Sequence, residues 1–287
     1  VYGGGAGARA VGGAERRWRM LKDITLGQYF PSDTVAHRLD PRTKILLVVL
    51  YITALFCAKG VVTYAIMAAV LAVCVRISKV GLRSLVRGLK PVLFIIVFTG
   101  LLNLLFTPGD HYLVEWGFLR ISDTGVRNAV FMVIRIMLLI MGTFLLTYTT
   151  SPIRLTDALE QLMGGLKRFH VPVHELSMMM SIALRFIPTL IEETDKIMSA
   201  QKARGADFES GGLVQKAKAL VPILVPLFIS AFRRADELAT AMECRCYHGG
   251  EGRTKLQVLR YERRDYAALI LGAAVCALVI VLRQFGI

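Results

Sequence analysis

The sequence predicts an all-α integral membrane protein of about five transmembrane helices plus long amphipathic cytoplasmic helices, and three observations carry that prediction. Hydrophobic residues make up 55% and charged residues 20% of the 287, with a mean hydropathy of +0.55, which is more apolar than an ordinary soluble chain of this length. Several apolar runs contain no charge at all, among them Ile45 to Ala58 and Val61 to Val75. The formal charge of +14 gathers in short loops beside those runs, where orientation in a bilayer places Lys and Arg. A basic nucleic-acid binder does not carry uncharged apolar runs, so the partner implied by the charge is the lipid bilayer and not nucleic acid.

Taken in order, residues 1–19 are rich in Gly, Ala and Arg and lack the apolar stretch of a signal peptide. They read as a disordered, non-native-looking extension ahead of Met20, where a native start fits. The membrane domain covers residues 20–150. Its first apolar stretch, Ile45 to Val75, is interrupted only at Lys59-Gly60 and reads as two spans, 45–58 and 61–75. Each is short of the ~20 residues a span needs; Lys44, Lys59 and Arg76 reach the interfaces and make up the difference. A third span fits 92–106, a fourth 126–148, and the last lies within 266–287.

Orientation follows from the loops. Arg76, Lys79, Arg83, Arg87 and Lys90 stand together with no acid between them, whereas the loop after the third span carries Asp110, Glu115 and Asp123 against Arg120. The first segment and the N-terminus are therefore cytoplasmic, and the second is external. By alternation, residues 151–265 are cytoplasmic and the C-terminus is external.

Within 151–265 the pattern is helical. Leu176, Met179, Met180, Ala183, Phe186, Ile187, Leu190, Ile191, Ile197 and Met198 recur at three- and four-residue spacing on one face, with Glu192, Glu193, Asp195 and Lys196 as the solvated side. A second long helix runs from about Leu213 to Arg245, and a short one from Arg154 to Met163 follows Ser151-Pro152. Gly164-Gly165, Gly211-Gly212 and Gly249-Gly250 punctuate them. Leu176 to Ile191 and Ala219 to Phe232 are not spans: the first holds Arg185 and Pro188, and the second is short, with Pro222 and Pro226.

Both long helices end alike. One closes in Ala203-Arg204-Gly205, the other in Glu243-Cys244-Arg245-Cys246, and aligning the two arginines brings Asp195 onto Asp236 and Ala200 onto Ala241. One arginine in a last turn is accounted for by the helix dipole. Two of them, on two amphipathic helices, suit the docking of carboxylates on a partner, because a guanidinium fork makes directional paired hydrogen bonds.

The remaining chemistry-bearing residues point away from catalysis. Cys244 and Cys246 offer two thiols where a structural zinc site needs four ligands, and the five histidines lack metal spacing and read as surface or interface residues. No phosphate-binding Gly-x-x-x-x-Gly-Lys-Ser/Thr loop is present, so this chain has no such route to ATP. Arg135 falls inside the fourth span and must face protein or water, either as a partner-linked position or as a residue satisfied by carbonyls inside the bundle.

Gln28-Tyr29-Phe30-Pro31, the run His37-Arg38-Leu39-Asp40-Pro41-Arg42-Thr43-Lys44, the Ala203-Arg204-Gly205 end and the Met242-Glu243-Cys244-Arg245 end together resemble the transmembrane T component of energy-coupling factor (ECF) importers, from about Leu21 to the C-terminus. The resemblance implies a non-catalytic subunit of the bacterial plasma membrane, with its N-terminus and coupling helices cytoplasmic. It implies as partners two ATP-binding-cassette ATPases and a substrate-binding S component for vitamin or metal uptake, with no cofactor in this chain and ATP and Mg²⁺ held by the ATPases. Carried over, Ala203, Arg204 and Gly205 form one docking motif, and Glu243, Cys244 and Arg245 fall at the other. Met178, Met179 and Met180 suit contact with the S component, since thioethers adapt to varied surfaces, although Met in an apolar helix is more often packing. The chain departs from the family where Cys246 replaces a glycine, and Gly249 and Gly250 are expected to supply the left-handed turn instead.

A stand-alone secondary transporter or channel would need ionisable residues in several spans and matched broken helices, and only Arg135 comes close. A membrane-embedded enzyme would need clustered carboxylates, histidines or a nucleophile at the membrane edge, and none is visible.

Overall fold

The computed structural model describes residues 32–107, 112–116, 119–169, 171–206, 208, 212–249 and 259–284. The extension 1–19 and Gln28-Tyr29-Phe30-Pro31 lie outside the described residues, as do Asp110, His111, His170, Gly211 and Gly250. Two compact units form: one runs to Ala158 and resumes at Leu259, the other is Leu159–Val258.

The first unit opens with a short α1 (Val35–Arg38) and α2 (Pro41–Cys57). Asp40 starts α2: its Oδ1 accepts from Arg42 N at 2.9 Å, and Pro41 occupies the first turn, where its missing N–H costs nothing. α3 (Val61–Ser78) begins after Gly60, whose N–H donates to Thr63 Oγ1 at 3.1 Å. It ends at Lys79, which is left-handed at φ 52°. Next come α4 (Leu82–Leu89) and α5 (Leu93–Phe106), then α6 (Asp123–Thr149), capped by Ser122 Oγ accepting from Gly125 N at 3.0 Å. α10 (Arg263–Gln284) closes the unit. Among the described residues, the strands are those of an antiparallel hairpin, β1 (Tyr112–Trp116) with β2 (Leu119–Ser122), placing Glu115 opposite Arg120.

α2 packs along α10, α5 along α6, and α6 also meets α2, α3 and α4. Leu55, Met67, Leu85 and Val279 lie fully buried at the centre. Small residues permit the close approaches: a Cβ on Gly272 would come within 2.5 Å of Leu47 Cδ2, and one on Gly142 within 2.7 Å of the Tyr51 ring. The outside is apolar as well. Phe94 and Phe106 of α5 are each 78% exposed, which suits lipid as solvent and would be a liability in water.

α3, α6 and α10 are each long and apolar enough to cross a bilayer, and α4 with α5, bent by 62°, make a fourth as a broken pair. α2 has 17 residues and at 1.5 Å per residue covers about 25 Å, somewhat less than the ~30 Å hydrocarbon core. Arg76, Lys79, Arg83, Arg87 and Lys90 are all exposed around the amphipathic α4.

Two residues sit differently from expectation. Lys44 does not reach out to an interface: it is buried, its Nζ donating to Thr149 O at 2.9 Å and His37 O at 3.3 Å. His37 is not a surface residue either, being buried with Nδ1 2.7 Å from Thr34 Oγ1. In both cases the partner is a group that hydropathy does not register.

In the second unit a 3₁₀ segment (Met163–Phe169) follows α7 (Pro152–Leu162), which spans the division between the units; α8 (Val173–Ala203) and α9 (Leu213–Glu243) then pair along their lengths. Glu160, at the end of α7, accepts from Ser177 Oγ at 2.7 Å and lies 3.2 Å from His174 Nδ1, which fixes the start of α8.

Candidate functional site

α8 and α9 are antiparallel. Gln201 near the end of α8 meets Pro222 near the start of α9, Glu193 meets Ser230 and Arg234, and Met178 lines a cavity with Met242. The Gln201 contact has a backbone cause. Pro226 has no N–H to give to Pro222 O, and Gln201 Nε2 donates to that freed carbonyl at 3.4 Å.

The crossing is held by a carboxylate. Glu193 Oε1 accepts from Ser230 Oγ and Oε2 from Arg234 Nη2, both at 2.6 Å. Glu193 is therefore not simply part of a solvated side, as its spacing suggests; the partners stand about forty positions along the chain and carry no local signal. The hydrogen bond from Ser230, then that from Arg234, hold its carboxyl below the ordinary value of 4.5. A lowered carboxyl pKa stabilises the folded form fully above the ordinary value and loses that effect as pH falls through the folded value. Protection of the α8 and α9 amides, taken relative to the intrinsic exchange rate at each pH, should accordingly be full at neutral pH and fall below pH 4.5. Glu193→Gln should remove this acid dependence; an unchanged pH profile in that variant would count against the pair.

The two helix ends share one geometry. After α8, Gly205 N donates to Lys202 O at 3.0 Å and Ala206 N to Gln201 O at 3.0 Å, with Gly205 left-handed at φ 85°. After α9, Cys246 N donates to Glu243 O at 2.8 Å and Tyr247 N to Met242 O at 3.0 Å, with Cys246 left-handed at φ 55°. Both are Schellman closures, and in each the arginine, Arg204 or Arg245, is the residue just before the left-handed one. Both arginines are exposed, as are Ala203, Gly205, Glu243 and Cys244.

Cys246 thus corrects the expectation that Gly249 and Gly250 would replace the missing glycine. The thiol-bearing residue takes the left-handed position itself, and Gly249, at φ 97°, makes a separate turn. The two backbone hydrogen bonds offset a left-handed cost of roughly 1–2 kcal/mol, and His248 Nδ1 lies 2.9 Å from Cys246 O. Cys246→Val, with a branched Cβ, should speed exchange of the Tyr247 amide in mass-spectrometric hydrogen exchange, while Cys246→Gly should not. Equal exchange in the two variants would refute the closure.

Because the helices are antiparallel, the arginines sit at opposite ends of the pair. Arg245 lines a cavity of about 230 Å³ with Met178, Met242 and Tyr247, and Met178 and Arg204 are separated by roughly 40 Å of helix at 1.5 Å per residue. One groove on one small partner cannot hold both tips.

The sequence profile of the cobalt transport protein family, CbiQ, matches residues 32–256. The chain is 51% identical over 256 residues to the energy-coupling factor transporter transmembrane protein EcfT of Ruminiclostridium cellulolyticum, covering 89% of this chain and 95% of that one. It is 52% identical over 263 residues to the EcfT of Clostridium kluyveri, with 91% and 96% covered. It is 46% identical over 264 residues to that of Bacillus subtilis, with 92% and 100% covered. The chain belongs to this family. It is a transmembrane component of the energy-coupling factor transporters.

Within this family member, the three methionines divide. Met178 is half-buried beside Arg245, whereas Met179 and Met180 are 57% and 45% exposed. The larger bare apolar face is on α9, where Val221, Val225, Phe228 and Phe232 follow one another at helical spacing and Phe232 is 72% exposed. That stripe was readable as the apolar run Ala219 to Phe232; that it would be left uncovered was not.

Proposed function

We propose that this chain is the mechanical link of an ATP-driven importer, joining two cytoplasmic ATP-binding-cassette ATPases to a membrane-embedded S component that binds a vitamin or metal substrate. The observation that carries the reading is the pair of like helix closures, each presenting an exposed arginine, at opposite ends of the α8–α9 pair. Each guanidinium suits a carboxylate-lined groove, and a separation of tens of ångströms calls for two ATPases and not one. ATP and Mg²⁺ belong to those partners, and the role of this chain is to move. The bare stripe of α9, with Met179 and Met180 of α8, suits an adaptable contact with the S component or with lipid.

Affinity purification from native membranes in mild detergent should bring down two ATPases and a small membrane protein. Recovery of the chain alone would refute the proposal. Sidedness has its own test, since Cys244 and Cys246 are exposed next to one arginine tip. A membrane-impermeant maleimide should label them in inverted plasma-membrane vesicles and not in intact cells. Labelling from outside would place the tips on the wrong side for ATPases.

A further inference from the structure

The docking arginines leave the run His37 to Lys44 without a role. In the structure this run is tied to the end of α6 and to the place where the chain rejoins the first unit at Leu259. On the outgoing side, nine residues before the unit ends at Ala158, Lys44 Nζ donates to Thr149 O, on the last residue of α6, at 2.9 Å. At the return, Arg42 Nη2 donates to Leu259 O at 2.8 Å, and its guanidinium lies 4.2 Å from the centroid of the Tyr261 ring. Asp40 holds that guanidinium in place, with Nε to Oδ1 at 3.2 Å and Nη2 to Oδ2 at 3.0 Å. Asp265, 2% exposed, splits its carboxylate: Oδ1 accepts from Asp40 N and Oδ2 from Glu262 N, each at 2.8 Å.

These bonds are charge-assisted and largely withdrawn from water, the setting in which they are strongest and least replaceable. They join the start of α2 to the end of α6 and to the start of α10, helices against which α2 also packs. A displacement of residues 159–258 reaches the spans covalently through the chain on either side of them. Slack segments there would absorb it by rotating φ and ψ, whereas segments fastened to α2 cannot. We infer that Arg42 and Asp265 are positioning residues for transport, clamping the returning segment to the start of α2 so that movement of the coupling helices enters the membrane helices. The inference rests on the proposed function.

The test uses the complex as purified with its partners, in lipid nanodiscs, with the native cysteines replaced by serine. Nitroxide labels at Val49→Cys on α2 and Val130→Cys on α6, both exposed positions, report their separation with and without ATP and vanadate. The chain with native Arg42 and Asp265 should show a nucleotide-dependent change in distance. Arg42→Gln and Asp265→Asn should keep the ATPases bound and hydrolysis within about twofold, yet lose at least half of the distance change. Arg42→Lys keeps the charge without the planar fork; it should lose part of the change, and it decides the matter should the Gln variant not insert. A full change in the variants overturns the inference, as does loss of the ATPases together with the change, which would make these residues assembly contacts. Absence of ATPases from the unmutated preparation strikes the proposed function instead.

Discussion

Replacing Arg204 and Arg245 together by Glu should abolish copurification of the ATPases and substrate uptake, while the chain still inserts and accumulates in the membrane. In the proposed docking, each reversal would remove one side of a desolvated charge pair, a loss of about 2–5 kcal/mol, and add repulsion between two carboxylates. At the lower figure, one site already loses roughly thirtyfold in affinity. Each single variant should release one ATPase and keep the other, because the tips sit at opposite ends of α8 and α9. Folding should be indifferent, since both closures are made by backbone groups and the arginine side chains are exposed. Quantitative mass spectrometry of the purified complex reads all three outcomes. Normal uptake by the double variant would end the docking role.

The second large effect is expected at Arg135. Its Nε donates to Tyr64 Oη at 2.8 Å, and Nη2 reaches Ala58 O, at the end of α2, at 3.2 Å. Of the two sequence readings of this residue, the geometry matches the one satisfied within the bundle. Tyr64→Phe keeps the stack on Phe131, whose ring centroid is 5.2 Å away, and removes one acceptor from a charge held among spans. That should cost about 1–3 kcal/mol, read as a lowered unfolding midpoint of the detergent-purified chain. Tyr64→Phe combined with Arg135→Leu removes the charge together with the hydroxyl and should recover part of the loss; the rest remains because the buried Ala58 O loses its donor. A double variant less stable than Tyr64→Phe alone would mean that Arg135 contributes more through Ala58 O and its packing than its stranded charge costs.

Much of this was legible before folding was considered. Apolar runs bounded by Lys and Arg marked the helices that became α3, α6 and α10, because burial in lipid depends on the summed character of consecutive residues. The repeat of Asp195, Ala200 and Arg204 in Asp236, Ala241 and Arg245 found both helix ends. The left-handed Cys246 was not legible, since a residue other than glycine enters that region only when hydrogen bonds on both sides hold it there. The sequence places Lys44 at an interface because its acceptor, Thr149 O, is 105 positions away in the chain. The spacing of Glu193 indicates a solvated side for the same reason, its partners standing 37 and 41 positions away.

By itself, the sequence determined the solvent of this protein, its helices and the arginines that close two of them, all properties set by residues within a few turns of one another. Only the tertiary structure decided the antiparallel order that sends the two arginines to opposite ends, the partners of Arg135 and Glu193, and the clamp that Arg42, Lys44 and Asp265 make around the start of α2. Those depend on groups 21 to 225 positions apart, which meet only when helices pack and polar atoms withdrawn from water must find a bond.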